Sequence, residues 1–94
     1  MHLTRRGSEI TIEGNIKTIS DFQAIKEMID SLAVEQLHII VKDSISMTSS
    51  VIGYFTKLVL KDKVKLSLSI GNEELVGLLE ELGVHELLHV RKLG

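Results

Sequence analysis

The sequence has no cysteine, few aromatic residues and no large excess of charge of either sign, and each absence narrows its function. Without cysteine the chain forms neither disulfide bonds nor thiolates, which is compatible with a reducing cytoplasm. Its three aromatic residues are too few for base-stacking platforms. A formal net charge of −2 also argues against nucleic-acid binding, because that function needs a concentrated basic surface.

Long apolar runs are lacking as well. No stretch of about 18 consecutive apolar residues is present, and the N-terminus has no apolar signal core after Arg5 and Arg6. We therefore expect a cytoplasmic protein without direct membrane insertion. A length of 94 residues, with 44% hydrophobic and 26% charged residues, is typical of one globular domain. We expect this domain to span residues 1–94.

Hydrophobic periodicity predicts several strands. Strict alternation over Glu9–Glu13 and over residues 64–70 is typical of half-exposed strands, and the nearly continuous apolar run 37–41 is typical of a central strand. Leu3 is expected to begin an edge strand that pairs with Glu9–Glu13 through a turn at residues 5–8. We expect the last segment, residues 86–93, to be a final strand.

Three helices are predicted between these strands. The first is expected over residues 21–33, because Ser20 and Gln23 have the spacing of a capping box. The second follows the hydroxyl residues 48–50. The third is expected to begin after Asn72 and to end near Leu82, with Gly83 as its left-handed cap. This order predicts an α/β fold with a mixed sheet of four to five strands and about three helices, mainly on one face.

The hydroxyl residues Thr48, Ser49 and Ser50 stand directly ahead of the apolar stripe of the second helix. At least one of them should cap this helix, whose N-terminus attracts anions, including a phosphate carried on one of the three hydroxyls. We expect Ser50 to be the structural cap and Ser49 to point outward. If Phe55 is buried, the neighbouring Tyr54 should be partly exposed near Ser49.

The chain resembles the STAS domain, the fold of bacterial anti-sigma factor antagonists and of the cytoplasmic tails of sulfate transporters. The resemblance covers nearly the whole chain and centres on residues 48–53, Thr-Ser-Ser-Val-Ile-Gly. The family's loop reads Asp-Ser-Ser/Thr-Gly-Leu-Gly, which places the phosphorylated serine on Ser49, the second hydroxyl on Ser50 and the closing glycine on Gly53. Thr48 and Val51 depart from the family's Asp and first Gly.

The resemblance implies a non-enzymatic regulator of transcription that acts by partner switching. Its phosphoacceptor would be Ser49, with Thr48 and Ser50 as secondary acceptors. Its partners would be an anti-sigma factor or related serine kinase and a serine phosphatase. We expect the partner-binding surface to comprise Thr48, Ser49, Ser50, Tyr54 and Lys57, with no cofactor and no metal.

Two other functions are considered. A lone STAS subunit could dock constitutively on the ATPase of a lipid-transport ABC complex, with Ser49 never phosphorylated. Residues 85–89, His-Glu-Leu-Leu-His, match the zinc-peptidase motif, in which a helix brings two histidines onto one face. We expect no metal there, because in a strand residues four apart are roughly 13 Å distant.

Overall fold

The computed structural model describes residues 1–93 and contains a five-stranded mixed sheet and three helices, which confirms the predicted α/β fold. The strands are β1 (His2–Arg6), β2 (Glu9–Glu13), β3 (Gln36–Val41), β4 (Lys65–Ile70) and β5 (Val90–Lys92). The helices are α1 (Ile19–Asp30), α2 (Ser49–Leu60) and α3 (Glu73–Glu81).

The strands lie in the sheet in the order in which they occur in the chain. The strand β1 pairs with β2 antiparallel, and β2, β3, β4 and β5 follow one another in parallel. The buried side chains of all three helices belong to one core cluster with those of the strands, and the strand order never reverses, so all three helices lie on one face of the sheet. The other face is left open.

The hydrophobic core fills the space between the sheet and the helices. Alternate residues of the three central strands point into it and are at most 3% exposed, namely Ile10, Ile12, Leu37, Ile39, Val41, Leu66, Leu68 and Ile70. The helices cover them with fully buried side chains such as Ile25, Phe55 and Leu75. Burial of this apolar surface is the main driving force of the fold.

The first helix begins two residues earlier than the sequence pattern predicted. Thr18, not Ser20, is its cap: the Thr18 hydroxyl oxygen accepts a hydrogen bond from the Asp21 backbone N–H at 3.0 Å. The Asp21 carboxylate accepts one in return from the Thr18 N–H at 3.1 Å. The predicted capping box of Ser20 and Gln23 is therefore wrong. The helix also ends at Asp30 rather than Ala33, whose φ of 46° is not helical.

Turns replace part of two predicted elements. Residues 85–89 form turns, and only Val90–Lys92 belong to a strand, so the predicted strand over 86–93 is wrong in its first half. His89 has a φ of 51°, which breaks the extended path just before β5. At the other end of the chain, Arg5 and Arg6 belong to β1, and the hairpin turn is shorter than predicted.

Candidate functional site

The N-terminus of α2 lies at the edge of the sheet where the parallel strands β2, β3 and β4 end. Two connecting segments, residues 14–18 after β2 and residues 42–48 after β3, meet at this edge. In open α/β sheets the carboxyl ends of the strands are the usual place for functional loops. The predicted site therefore has a favourable position in the fold.

Side chains join the two connecting segments into one unit. Three hydrogen bonds cross between them: Gly14 N to Asp43 Oδ1 at 2.7 Å, Ile16 N to Ser44 Oγ at 3.0 Å, and Ile45 N to Asn15 Oδ1 at 3.0 Å. Ser44 is fully buried, and its hydroxyl also donates to the Ser46 carbonyl at 2.6 Å. Each polar group thus has a partner, which burial requires.

Sequence reasoning missed Asn15, Asp43 and Ser44, which hold the site together. Their signal in the sequence is weak: polar residues directly follow two apolar strands, as they do in most α/β proteins. Gly71, after β4, is a further structural requirement of this edge. A Cβ at this position would stand 2.0 Å from the Lys42 carbonyl oxygen, so only glycine allows the two strand ends to approach so closely.

Thr48 is the cap of α2. Its hydroxyl oxygen accepts a hydrogen bond from the Val51 backbone N–H at 3.3 Å. The expectation that Ser50 caps the helix is therefore wrong, because the cap lies two residues earlier in the chain. Ser49 and Ser50 are the first two helical residues, and both side chains are exposed. Ser49 is free of the capping role and lies at the surface.

An exposed stripe runs along α2 from Ser49. Gly53 and Lys57 follow at intervals of four residues, so the three positions lie above one another on the outer side of the helix, and all three are exposed. A Cβ added at Gly53 would meet no atom within 4 Å. Ile45, in the segment that leads to Thr48, is also 53% exposed. The stripe thus has a hydroxyl and a cationic part, and Ile45 adds an exposed apolar side chain in the segment that leads to the helix.

Tyr54 does not belong to this surface. It is only 6% exposed, so the expectation of a partly exposed side chain is wrong. Its ring packs edge to face against Phe22 at 6.1 Å between centroids, and its hydroxyl donates to the Asp30 carboxylate. The ammonium groups of Lys26 and Lys57 each lie 5.8 Å from the ring centroid. Tyr54 is buried because α1 packs beside α2 and covers it.

These contacts shift the pKa values of three side chains. Burial, and then the hydrogen bond to Asp30, raise the pKa of Tyr54 well above its usual range. The hydrogen bonds that Asp30 accepts, first from Lys26 and then from Tyr54, lower the pKa of the Asp30 carboxyl group. On the exposed stripe, the hydrogen bond to Asp62 raises the pKa of Lys57, whose ammonium lies 2.9 Å from that carboxylate. Lys57 is therefore cationic at neutral pH.

The histidines of residues 85–89 are not arranged as metal ligands. His89 Nδ1–H donates to the Leu66 carbonyl at 2.9 Å, and His85 Nε2 lies 4.0 Å from a Glu86 carboxylate oxygen. Over residues 1–93, no three His, Cys, Asp or Glu side chains come together as a metal site would require. In the same residues, no helix is long and apolar enough to cross a bilayer.

A concave surface exists elsewhere. A groove of about 650 Å³ lies where β3 and β4 begin, at the end of the strands opposite Ser49, and includes Gln36, Lys65 and Arg91 in its lining. The surface around Ser49, by contrast, is a helix end with an exposed outer side, which suits a macromolecular partner better than a small molecule.

Comparison of the chain with protein-family models, with curated proteins and with solved structures found no match in any of the three.

Proposed function

We propose that this chain is a cytoplasmic regulatory protein, resembling a STAS anti-sigma factor antagonist, that binds a partner through the surface around Ser49 and needs no catalytic group for that role. Phosphorylation of Ser49 would switch this binding. The position of Ser49 carries the proposal: it is exposed in the first turn of α2, while Thr48 supplies the cap. A kinase can reach its hydroxyl without disturbing the start of the helix.

The surroundings of Ser49 favour a phosphate. A phosphoserine carries about −1.5 to −2 charges at pH 7. The first turn of α2 has no acidic residue, whereas Asp21 occupies the first turn of α1 and Glu73 and Glu74 that of α3. The unpaired N–H groups at the start of α2 therefore meet a phosphate without a neighbouring carboxylate in the same turn that would repel it.

The outer side of α2 supplies the contact surface. Ile45 offers an exposed apolar side chain, Gly53 lets a partner approach the helix backbone closely, and Lys57 adds a positive charge. With Ser49 unmodified, a partner can pack against this surface. A phosphate there would insert a charge into the interface, and each 1.4 kcal/mol of lost complementarity lowers affinity about tenfold.

The partners that this function requires are an anti-sigma factor or related serine kinase and a serine phosphatase that resets the switch. Incubation with ATP and a candidate kinase, followed by mass spectrometry, tests the phosphosite. We expect phosphate on Ser49 and none in Ser49→Ala. Ser20→Ala is the matched control, because Ser20 is also exposed in the first turn of a helix. That helix, α1, follows the segment after β2 rather than the segment that leads to Ser49. An absence of phosphate from residues 48–50 would contradict the switch.

A second function is favoured by one observation. Thr48 and Val51 replace the Asp and Gly of the family's phosphorylation loop, and Thr48 is committed to capping α2. A chain that docks constitutively, as a lone subunit on the ATPase of a lipid-transport ABC complex would, needs no phosphoacceptor loop. Purification from native cells distinguishes the two functions, because a stable ABC ATPase companion supports the subunit and a serine kinase supports the switch.

A further inference from the structure

The open face of the sheet carries a chain of three polar side chains on three adjacent strands. Glu9 on β2, His38 on β3 and Ser69 on β4 all point away from the helices. His38 Nδ1 lies 3.2 Å from Glu9 Oε2, and His38 Nε2 lies 2.8 Å from Ser69 Oγ. The histidine thus links a carboxylate to a serine hydroxyl, with each ring nitrogen used once.

The direction of the two hydrogen bonds follows from the groups themselves. An ionised carboxylate only accepts, so His38 Nδ1 must carry the proton that it donates to Glu9. In the neutral ring Nε2 is then unprotonated and accepts a hydrogen bond from the Ser69 hydroxyl. This is the arrangement in which an imidazole can take the proton of a serine nucleophile, and it is recognised by geometry rather than by sequence position.

We propose that Ser69 is a nucleophile that hydrolyses small activated carboxylic esters. Ser69 Oγ forms a bond to the ester carbonyl carbon as its proton passes to His38 Nε2. The bond from that carbon to the leaving oxygen breaks, and the proton leaves with the alcohol. Water then attacks the acyl-serine, gives one proton to His38 Nε2 and releases the carboxylic acid as Ser69 regains its proton.

Two neighbouring side chains complete the site. Glu9 is a positioning residue, since it holds His38 in the tautomer whose Nε2 is unprotonated and can accept the proton of Ser69. Arg91 on β5 is the register partner of Ser69 and is exposed, and it forms no ion pair with another residue of the described range 1–93. Arg91 and His38 both line the groove where β3 and β4 begin, and we assign to the Arg91 guanidinium the role of stabilising the negative oxygen of the tetrahedral intermediate.

The site is accessible and separate from the surface around Ser49. The side chains of His38 and Glu9 are 38% and 45% exposed, and no helix covers this face. Ser67 provides an internal reference, because it lies on the same strand and the same face, while both ring nitrogens of His38 are occupied by Glu9 and Ser69. Ser67 should therefore react as an ordinary alcohol.

Hydrolysis of p-nitrophenyl acetate by the whole chain, with mass spectrometry of the acylated peptide, tests the proposal. We expect acetyl on Ser69 and a rate that falls about a hundredfold or more in Ser69→Ala and in His38→Asn, the usual range for loss of a nucleophile with its general base. Ser67→Ala should hydrolyse at the wild-type rate. Equal acetylation of Ser67 and Ser69, or an unchanged rate in Ser69→Ala, overturns the proposal.

The role of Glu9 is tested by a readout that packing alone would not move. Nitrogen-15 NMR of the histidine rings distinguishes the two neutral tautomers, and His38→Asn assigns the signal among the four histidines. We expect His38 to be protonated on Nδ1 in the wild type and in Ser69→Ala, and to lose this preference in Glu9→Gln together with at least a tenfold loss of hydrolysis. A wild-type His38 protonated on Nε2 rules out Ser69 as its activated nucleophile.

Discussion

The two faces of the sheet have opposite chemistry, although the same strands build both. On the helix face, Leu66, Leu68 and Ile70 of β4 are almost fully buried, whereas the intervening Ser67 and Ser69 on the open face are only half-buried and Ser69 is hydrogen-bonded. The first set gains free energy by leaving water, and the second stays at the boundary with water. Stability should therefore depend on one face, while the other is free to carry reactive groups.

The largest difference in stability between the two faces is expected for adjacent residues of β4. Leu68→Ala removes a fully buried side chain and should lower the free energy of unfolding by about 2–5 kcal/mol. Ser67→Ala, next to it on the open face, should change that free energy by less than about 0.5 kcal/mol. Urea unfolding followed by circular dichroism measures both. Similar losses for the two variants would show that the open face is also part of the core.

A smaller effect is expected at the edge of the sheet. Ser44→Ala leaves the buried Ile16 N–H without its acceptor and should cost about 1–3 kcal/mol, measured by the same urea unfolding. Ser46→Ala is the matched control, because Ser46 lies two residues away in the same segment and is exposed. An unaffected Ser44→Ala variant would mean that the two connecting segments do not depend on this hydrogen bond.

The stability contributed by the covered side of α2 should fall at alkaline pH. The folded protein holds the Tyr54 proton more tightly than the unfolded chain, whose tyrosine has a pKa of about 10. The contribution of Tyr54 to stability is therefore complete below about pH 10 and is lost as pH rises above it. Tyr54→Phe should cost about 1 kcal/mol at neutral pH and show a shallower decline in stability above about pH 10.

One probe isolates this residue. Tyr54 is the only tyrosine in the chain, so the ultraviolet absorbance of phenolate during an alkaline titration reports this residue alone. We expect the absorbance to rise only as the protein unfolds. A phenolate that forms near pH 10 in the folded protein would contradict both the burial and the hydrogen bond to Asp30.

The smallest effect is expected on the uncovered side of α2. Gly53→Ala should stabilise the fold by about 0.5–1 kcal/mol, because alanine favours a helix and its Cβ would meet no atom within 4 Å. Gly77→Ala in α3 is the matched control, since its Cβ would also meet nothing. If Gly53 serves an interface, a bulky Gly53→Gln should weaken partner binding without any loss of stability, because glutamine also favours a helix over glycine. Equal binding by Gly53→Gln would remove Gly53 from the proposed surface.

Features that follow from hydrophobic periodicity could be predicted from the sequence, whereas features that depend on contacts between distant residues could not. Alternation in residues 64–70 predicted the strand and its two faces, and Asn72 was correctly identified as the cap of α3, where its side chain accepts from Glu74 N at 2.8 Å. The burial of Tyr54 could not be predicted from α2 alone, because it depends on where α1 packs. The caps of α1 and α2 were misplaced, since several hydroxyl residues compete within each stretch.

The candidate sites show the same limit. Local sequence indicated Ser49, since three adjacent hydroxyls precede an apolar helix. The chain Glu9, His38 and Ser69 had no local signal, because its members are about 30 residues apart and only the strand register joins them. The links that hold Asn15 to Ile45 and Ser44 to Ile16 are of the same long-range kind.

The uniform strand order has a consequence for how the chain folds during synthesis. Along the parallel part of the sheet, Glu9 pairs with His38 and His38 with Ser67, and both pairs are 29 residues apart in sequence. Only the hairpin of β1 and β2 can close from neighbouring residues. Each later strand emerges from the ribosome a full helix ahead of its next partner, so its edge stays exposed for that interval. Folding should therefore be slow relative to a helical bundle of the same length.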